Sequence, residues 1–223
     1  MAHPPAASPV AFLSDIHGNL TALDAVSAEL ERLGVKQIYV AGDLLLGGDQ
    51  PLEVWQRLQT LGAICTRGPS DLALASVDPG SLVPIDDRQR KQARLFAKTR
   101  AAIGDLVAER LRRLPESYRI PLVDGREVLM VHGSPADDQR EISHDLSDDE
   151  ILALLDDDPA DIIVCGSTHV PFQRSVGDYH VVNVGSVGAA PEGRVAHYSV
   201  LTPRMSGADI LQDWVRYGEE RAG

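Results

Sequence analysis

A chain of 223 residues, 43% hydrophobic and 24% charged, is long enough to close a sizeable core, and its apolar residues recur too regularly for a disordered segment. Its formal charge of −12, from 33 acidic against 21 basic residues, argues against non-specific binding to nucleic acid or to an anionic membrane, although bound cations could invert the local sign for an anionic substrate. Cys65 and Cys165 are too few for a disulfide framework, no apolar run reaches the length of a membrane span, and the opening MAHPPAASPVAFLSD has no basic region ahead of an unbroken apolar one, so the sequence reads as a reduced, cytoplasmic protein without a signal peptide.

Val10–Leu13 reads as a short buried strand running into Ser14-Asp15-Ile16-His17-Gly18-Asn19. Asn19 is placed to cap a helix whose inner face is Leu20, Leu23, Val26, Leu30 and Leu33, with Gly34 as its stop. Val35–Val40 is a second strand and leads into Gly42-Asp43. Residues 51–61 form a second helix with Leu52, Trp55, Leu58 and Leu61 inward, and Ala63–Cys65 a third strand closed by Arg67-Gly68-Pro69-Ser70. This is the β-α-β-α-β rhythm of a parallel sheet, whose ligands collect at the carboxyl ends of strands.

Residues 76–87 read as loop and residues 88–113 as a long helix with the stripe Phe96, Ile103, Val107, Leu111 and Leu114. Ile120–Val123 and Glu127–Val131 read as a hairpin about Asp124-Gly125. His132-Gly133-Ser134-Pro135 follows directly. A short helix capped by Ser147 with Glu150 three positions on leads to a strand at Asp161–Cys165 and to Gly166-Ser167-Thr168-His169. Further strands fall at 171–176, 179–184 and 195–201, with Gly177-Asp178 as a turn, and the tail after Gly207 fits strand or helix equally. Neither repeats nor a second domain are visible, so residues 1–223 are taken as one domain with a helical excursion at 88–113. The loops at 76–87 and 133–147 are expected to line the cleft.

Every residue of ligand type follows an apolar strand: Asp15 and His17, then Asp43, His132 and His169. One Asp after a strand is ordinarily a turn former, and one His is ordinarily a hydrogen-bonded neighbour. The ordered set from four strands is a different matter, because it delivers carboxylates and imidazoles to one rim. Such donors suit Mn, Fe or Zn, and a shared carboxylate is the usual way to hold two ions about 3.5–4 Å apart.

The ordered motifs SDIHGN, GDLLLGG, VHGSP, GSTHVPF and NVGSVG resemble the calcineurin-like metallophosphoesterases, in particular their small bacterial single-domain phosphodiesterases and phosphatases, over about residues 9–201. The resemblance implies a four-layer α/β/β/α sandwich, a dinuclear centre between strand ends, and a metal-bound hydroxide attacking a phosphate ester in line. It assigns Asp15, His17, Asp43 and His169 to the first ion, and Asp43 as a bridge with His132 to the second. It also implies an asparagine from a G-N-[HC]-[DE] motif and the first histidine of G-H-T-H at the second ion. Pro69 and Ser167 stand in those places, and Ser70 stands where a histidine often assists the leaving group.

The first cage therefore reads as complete and the second as depleted, with one ion firmly bound and the other weak or absent. Asp71 or water could replace a missing donor; His144, His180, Asp137 and Asp138 are more remote candidates. Asp71 and His132 are the candidates for a catalytic role, and no general acid is assigned, since serine is a poor proton donor at neutral pH. Arg67 is the candidate for substrate phosphate, with Arg140 and Arg174 beside other motifs. Two functions remain open: a phosphoesterase acting on a small phosphate ester or nucleotide, and a weakly active or inactive metal- or nucleotide-binding module with a regulatory role. The sequence leaves the oligomeric state open.

Overall fold

The structure, a computed structural model, describes residues 5–155, 157 and 160–218. β1 (Val10–Leu13), α1 (Leu20–Arg32), β2 (Gln37–Ala41), α2 (Pro51–Thr60) and β3 (Ile64–Thr66) make the expected parallel unit. α1 begins where expected because the Asn19 side chain accepts the Ala22 amide. After α3 (Pro69–Ser76), a single 3-10 turn at Pro79–Ser81 leads into α4 (Asp87–Arg112). The second half runs through β4 (Ser117–Pro121), β5 (Glu127–Val131), α5 (Asp148–Leu152), β6 (Ile162–Cys165), β7 (Phe172–Val176), β8 (Tyr179–Asn183), β9 (Val195–Pro203) and β10 (Ala208–Arg216).

The strands form two mixed sheets of five, in the orders β10-β9-β1-β2-β3 and β4-β5-β6-β8-β7. Their alternating side chains explain the layers. Phe12 and Tyr39, with rings stacked at 5.4 Å, face the second sheet and join a cluster with its Met130, Val164 and Val182. Leu13 and Val40 face the other way and meet Leu23, Val26, Leu58, Phe96 and Leu111 from the helices. Beyond the second sheet, Ile163 and Val181 are covered by Ile142, Ile151 and Leu154. The result is the α/β/β/α sandwich, with a thin outer layer on the second sheet, since α5 has only five residues.

The sequence-based reading ends the third strand in a turn at Arg67–Ser70 and misses α3. That helix has no apolar stripe; it is set by Pro69 at its first position and Asp71 two residues on, whose side chain accepts the Gly68 amide. α4 is interrupted at Gly104, which has φ 68° and ψ 178°, yet Phe96, Ile103, Val107 and Leu111 are buried on both sides of the break. The ambiguous tail is a strand. β10 pairs along its whole length with β9, from Ala208 opposite Pro203 to Arg216 opposite Val195, a long-range partner that local periodicity does not reveal. The described residues include no helix long and apolar enough to cross a membrane.

Candidate metal centre

The two sheets present the carboxyl ends of their parallel strands to one mouth. Pairing continues past the strands: the Asp15 amide donates to the Gly42 carbonyl and the His17 amide to the Asp43 carbonyl, so these two loops run side by side. On the second sheet the Gly166 amide donates to the His132 carbonyl. Asp15, His17 and Asp43 thus come from one sheet, and His132 and His169 from the other.

Among the described residues, left-handed backbone outside glycine occurs at Asp15 (φ 54°), His17 (50°), Asp43 (53°), Ser167 (72°) and His169 (62°). Each such residue costs on the order of 1–3 kcal/mol, and a fold sustains that cost where its surroundings impose it, commonly at functional sites. Here four of the five are residues that the sequence singles out as ligands.

The imidazoles are oriented from behind. His17 Nδ1 lies 2.7 Å from the Leu46 carbonyl, His132 Nδ1 2.7 Å from the Ala41 carbonyl, and His169 Nδ1 3.0 Å from the Ala189 carbonyl. A carbonyl only accepts, so the proton sits on Nδ1 in each ring and Nε2 is turned to the centre. There His17 Nε2 is 3.1 Å from His169 Nε2, and both face Asp15 Oδ1, at 3.4 and 3.1 Å. Two unprotonated Nε2 atoms at that separation repel each other, so the cluster requires positive charge, either a proton or a cation.

The electrostatics agree. Burial raises the Asp15 carboxyl, but its hydrogen bonds to His169 and His17 and the nearby His132 outweigh this and hold it well below the ordinary range. Burial lowers His17, yet Asp15 and Asp43 push it up to about 9. His169 is raised by its bond to Asp15.

Two groups of three donors lie with their ligand atoms within 4.8 Å of one another: Asp15 with His17 and His169, and Asp15 with Asp43 and His132. Asp15 is common to both groups, and Asp43 stands with His132 in the second. His132 is 2% exposed, with Nε2 3.8 Å from Asp43 Oδ1. Donor types, convergence and outer hydrogen bonds all fit a divalent transition ion.

The structure explains the unusual positions. Pro69 is the first residue of α3, and the next amide, that of Ser70, donates to Asp43 Oδ1 at 3.1 Å. At Ser167 the amide, not the side chain, serves the centre: it donates to Asp15 Oδ2 at 3.0 Å, beside Ser14 Oγ at 2.7 Å. Asp71 is fully buried, with one oxygen on the Leu44 amide and the other on the Gly68 amide. Burial, then Asp43, raise its carboxyl to about 7 against the pull of those amides. Both oxygens are engaged in the scaffold, so Asp71 braces the Asp43 loop and is not poised in the cleft as a catalytic group or replacement ligand. Arg67 is held by Glu116 and the Arg112 carbonyl.

The remote candidates do not join. His144 is exposed and pairs with Asp145. His180 bonds Ser175 and Gln173 at the opposite end of its sheet from His169. The Asp137 backbone carbonyl accepts from the Ser134 hydroxyl and its carboxylate from the Gln139 amide, Arg174 reaches the Leu146 carbonyl, and Asp138 belongs to neither donor group. Cys65 and Cys165 are buried free thiols pushed up to about 12 by burial. Sequence reasoning assigned no role to Asn183, which bonds the Gly166 carbonyl, or to Ser186, whose hydroxyl donates to the Asp15 carbonyl. Both lie in the quoted NVGSVG motif, which is the scaffold beneath Asp15. Beside His17 and His169, a cavity of about 310 Å³ is walled by Asn19, Gly47, Gly48 and Gly188.

Residues 9–205 match the profile of the calcineurin-like phosphoesterase superfamily domain. Among curated proteins the chain is 26% identical to the uncharacterized protein MJ0912 of Methanocaldococcus jannaschii over 231 aligned positions, covering 96% of this chain and 90% of that one. Among solved structures it is similar to the hypothetical protein PH1004 of Pyrococcus horikoshii OT3, with a TM-score of 0.81, 22% identity and coverage of 95% and 89%. It is also similar to a metallophosphoesterase from Sphaerobacter thermophilus, with a TM-score of 0.75, 23% identity and coverage of 96% and 90%. At these identities the structural likenesses show a shared fold.

Proposed function

The chain belongs to the calcineurin-like phosphoesterase superfamily, and from that premise we propose that it hydrolyses a small phosphate ester or nucleotide with the help of a divalent transition ion, manganese or iron before zinc. The observation that carries the reading is the convergence of three imidazole Nε2 atoms, each with its Nδ1 tied to a backbone carbonyl, on the buried Asp15 and its neighbour Asp43. Asp15, His17 and His169 would hold one ion firmly, with Asp43 beside them. Asp43 and His132 would hold a second weakly, since neither Pro69 nor Ser167 directs a side-chain donor there.

A bound divalent ion supplies Lewis acidity to a phosphoryl oxygen and lowers the pKa of a coordinated water. The chain's own residues do the rest. The carbonyls of Leu46, Ala41 and Ala189 fix the rings, the Ser167 amide and Ser14 hydroxyl fix Asp15, and the Ser70 amide fixes Asp43. Ser70 Oγ is enclosed and without a partner among the described residues, so it is closed off from the cleft. Such an enzyme would work in the cytoplasm, in keeping with its two unpaired cysteines.

The depleted second set favours one alternative, a metal- or nucleotide-binding module that does not turn over. Turnover of bis-p-nitrophenyl phosphate with manganese, compared with Asp43→Asn, separates the two. Metal-dependent hydrolysis that the variant loses supports the enzyme; wild type as silent as the variant across metals and esters supports the module. A rise in rate in the Pro69→Asn, Ser167→His double variant would identify the missing donors as the limit.

A further inference from the structure

A second cavity of about 480 Å³ adjoins the centre. Its walls are Leu46 and Gly47 from the loop after Asp43, Leu82, Val83 and Pro84 from the segment before α4, and Ala93 with Phe96 on α4. Gly47 lines this groove and also the cavity beside His17 and His169. The coupling is close: the Leu46 carbonyl orients the His17 ring, and a side chain at Gly47 would stand 2.9 Å from His17 Cβ. Gly47 has φ 146°, a backbone conformation that glycine accommodates without strain, at the stretch of wall common to the two spaces.

The groove is preformed. Gln89 in the first turn of α4 accepts the Ile85 amide and Asp86 caps the helix, which ties residues 85–86 to the start of α4, while Leu82 packs against the core that includes Phe96. Val83 is 85% exposed and Ile85 80%, a large apolar exposure for one short segment. None of the lining residues is charged, in a chain of net charge −12; the polar side chains on the wall are the amides of Gln89 and Gln92. A space of this size, apolar with a few neutral polar groups, is the usual composition of a small-molecule site.

We propose that this groove is the subsite for the organic part of the substrate, and that it selects an uncharged, flat aromatic or heteroaromatic group over a charged or sugar-like one. The inference rests on the phosphoesterase reading: the phosphoryl group would lie by His17 and His169, and its ester substituent would pass Gly47 into the groove. A charged substituent would lose hydration there without gaining a partner. An aromatic ring would replace water against Leu82, Val83 and Phe96.

Two measurements on the full chain test it, one free of hydrolysis. Titration with 1-naphthol, which has no phosphate, should shift backbone amide resonances of residues 46–47 and 82–96 saturably, and Ala93→Trp, which fills the groove, should weaken binding about tenfold. Val83→Asp, at an exposed position that cannot unfold the chain by overpacking, should weaken it in the same direction. With manganese, kcat/KM for 1-naphthyl phosphate over that for glycerol 3-phosphate should fall about fivefold or more in either variant, mainly through KM. Absence of naphthol binding, or binding indifferent to both variants, overturns the subsite. Turnover of both esters at a ratio the variants leave alone overturns it while the phosphoesterase reading stands. Naphthol binding that both variants weaken, with no ester hydrolysed across metals, overturns the phosphoesterase reading and with it the groove's role as a substrate subsite.

Discussion

Asp71 Oδ2 accepts the Gly68 amide at 3.0 Å while Asp71 Oδ1 accepts the Leu44 amide at 3.0 Å, so one buried carboxylate joins the start of α3 to the loop that carries Asp43. Asp71→Asn replaces one acceptor by an NH2 group and sets donor against donor. A loss of about 1–3 kcal/mol in unfolding free energy is expected, read from urea denaturation. Ser70→Ala removes an enclosed hydroxyl that has no partner and is expected to change stability by less than about 0.5 kcal/mol. Equal losses for the two would contradict the bracing role.

Gly68 packs against Asp43 so closely that a Cβ would overlap its carboxylate. The backbone there has φ −102° and ψ 176°, which alanine adopts freely, so Gly68→Ala is a steric probe of Asp43 alone. Manganese affinity by calorimetry should fall about 10–100-fold, the usual effect of disturbing the support of a ligand, with the circular dichroism spectrum retained. Unchanged affinity would remove Asp43 from the binding set.

The two thiols are shielded by burial, which pushes each up to about 12. Reaction with a disulfide reagent at pH 8 should be negligible in the native protein and reach both residues in urea. Rapid native modification of Cys165 would show that the strand before His169 is open to solvent.

His197 is held below its ordinary value, chiefly by burial, with the Glu192 charge opposing. A lowered basic group binds fewer protons folded than unfolded, so stability is intact above the unfolded value near 6.5 and declines as the pH falls below it towards the folded value. In the metal-free protein His17, His169 and Asp71, all raised, gain stability as the pH falls from about 7.5 to 5.5 and oppose this loss, so the sign is read by difference: the urea midpoint of His197→Gln should move upward relative to wild type over that interval. An unchanged difference would remove His197 as an acid-sensitive group.

Much of the sandwich was legible because its signals are local. Leu20, Leu23, Val26 and Leu30 repeat at helical spacing, and Asn19 caps them. The site was legible because Asp15, His17, Asp43, His132 and His169 each follow an apolar strand. α3 was missed because its start depends on Pro69 and Asp71 and not on a stripe. β10 could not be decided because its partner, β9, is what makes residues 208–216 extended. The membership of Asp15 in both donor groups lay beyond the sequence, because it depends on how the two sheets face each other, and motif order carries nothing of that.

Because Asp15, His17 and Asp43 arrive on one sheet and His132 and His169 on the other, a cation among them would act as a rivet through the two halves of the molecule. Removing it with a chelator would loosen the mouth of the sandwich first, while the far end, closed by Leu122, Ile162 and Leu201, would keep its grip.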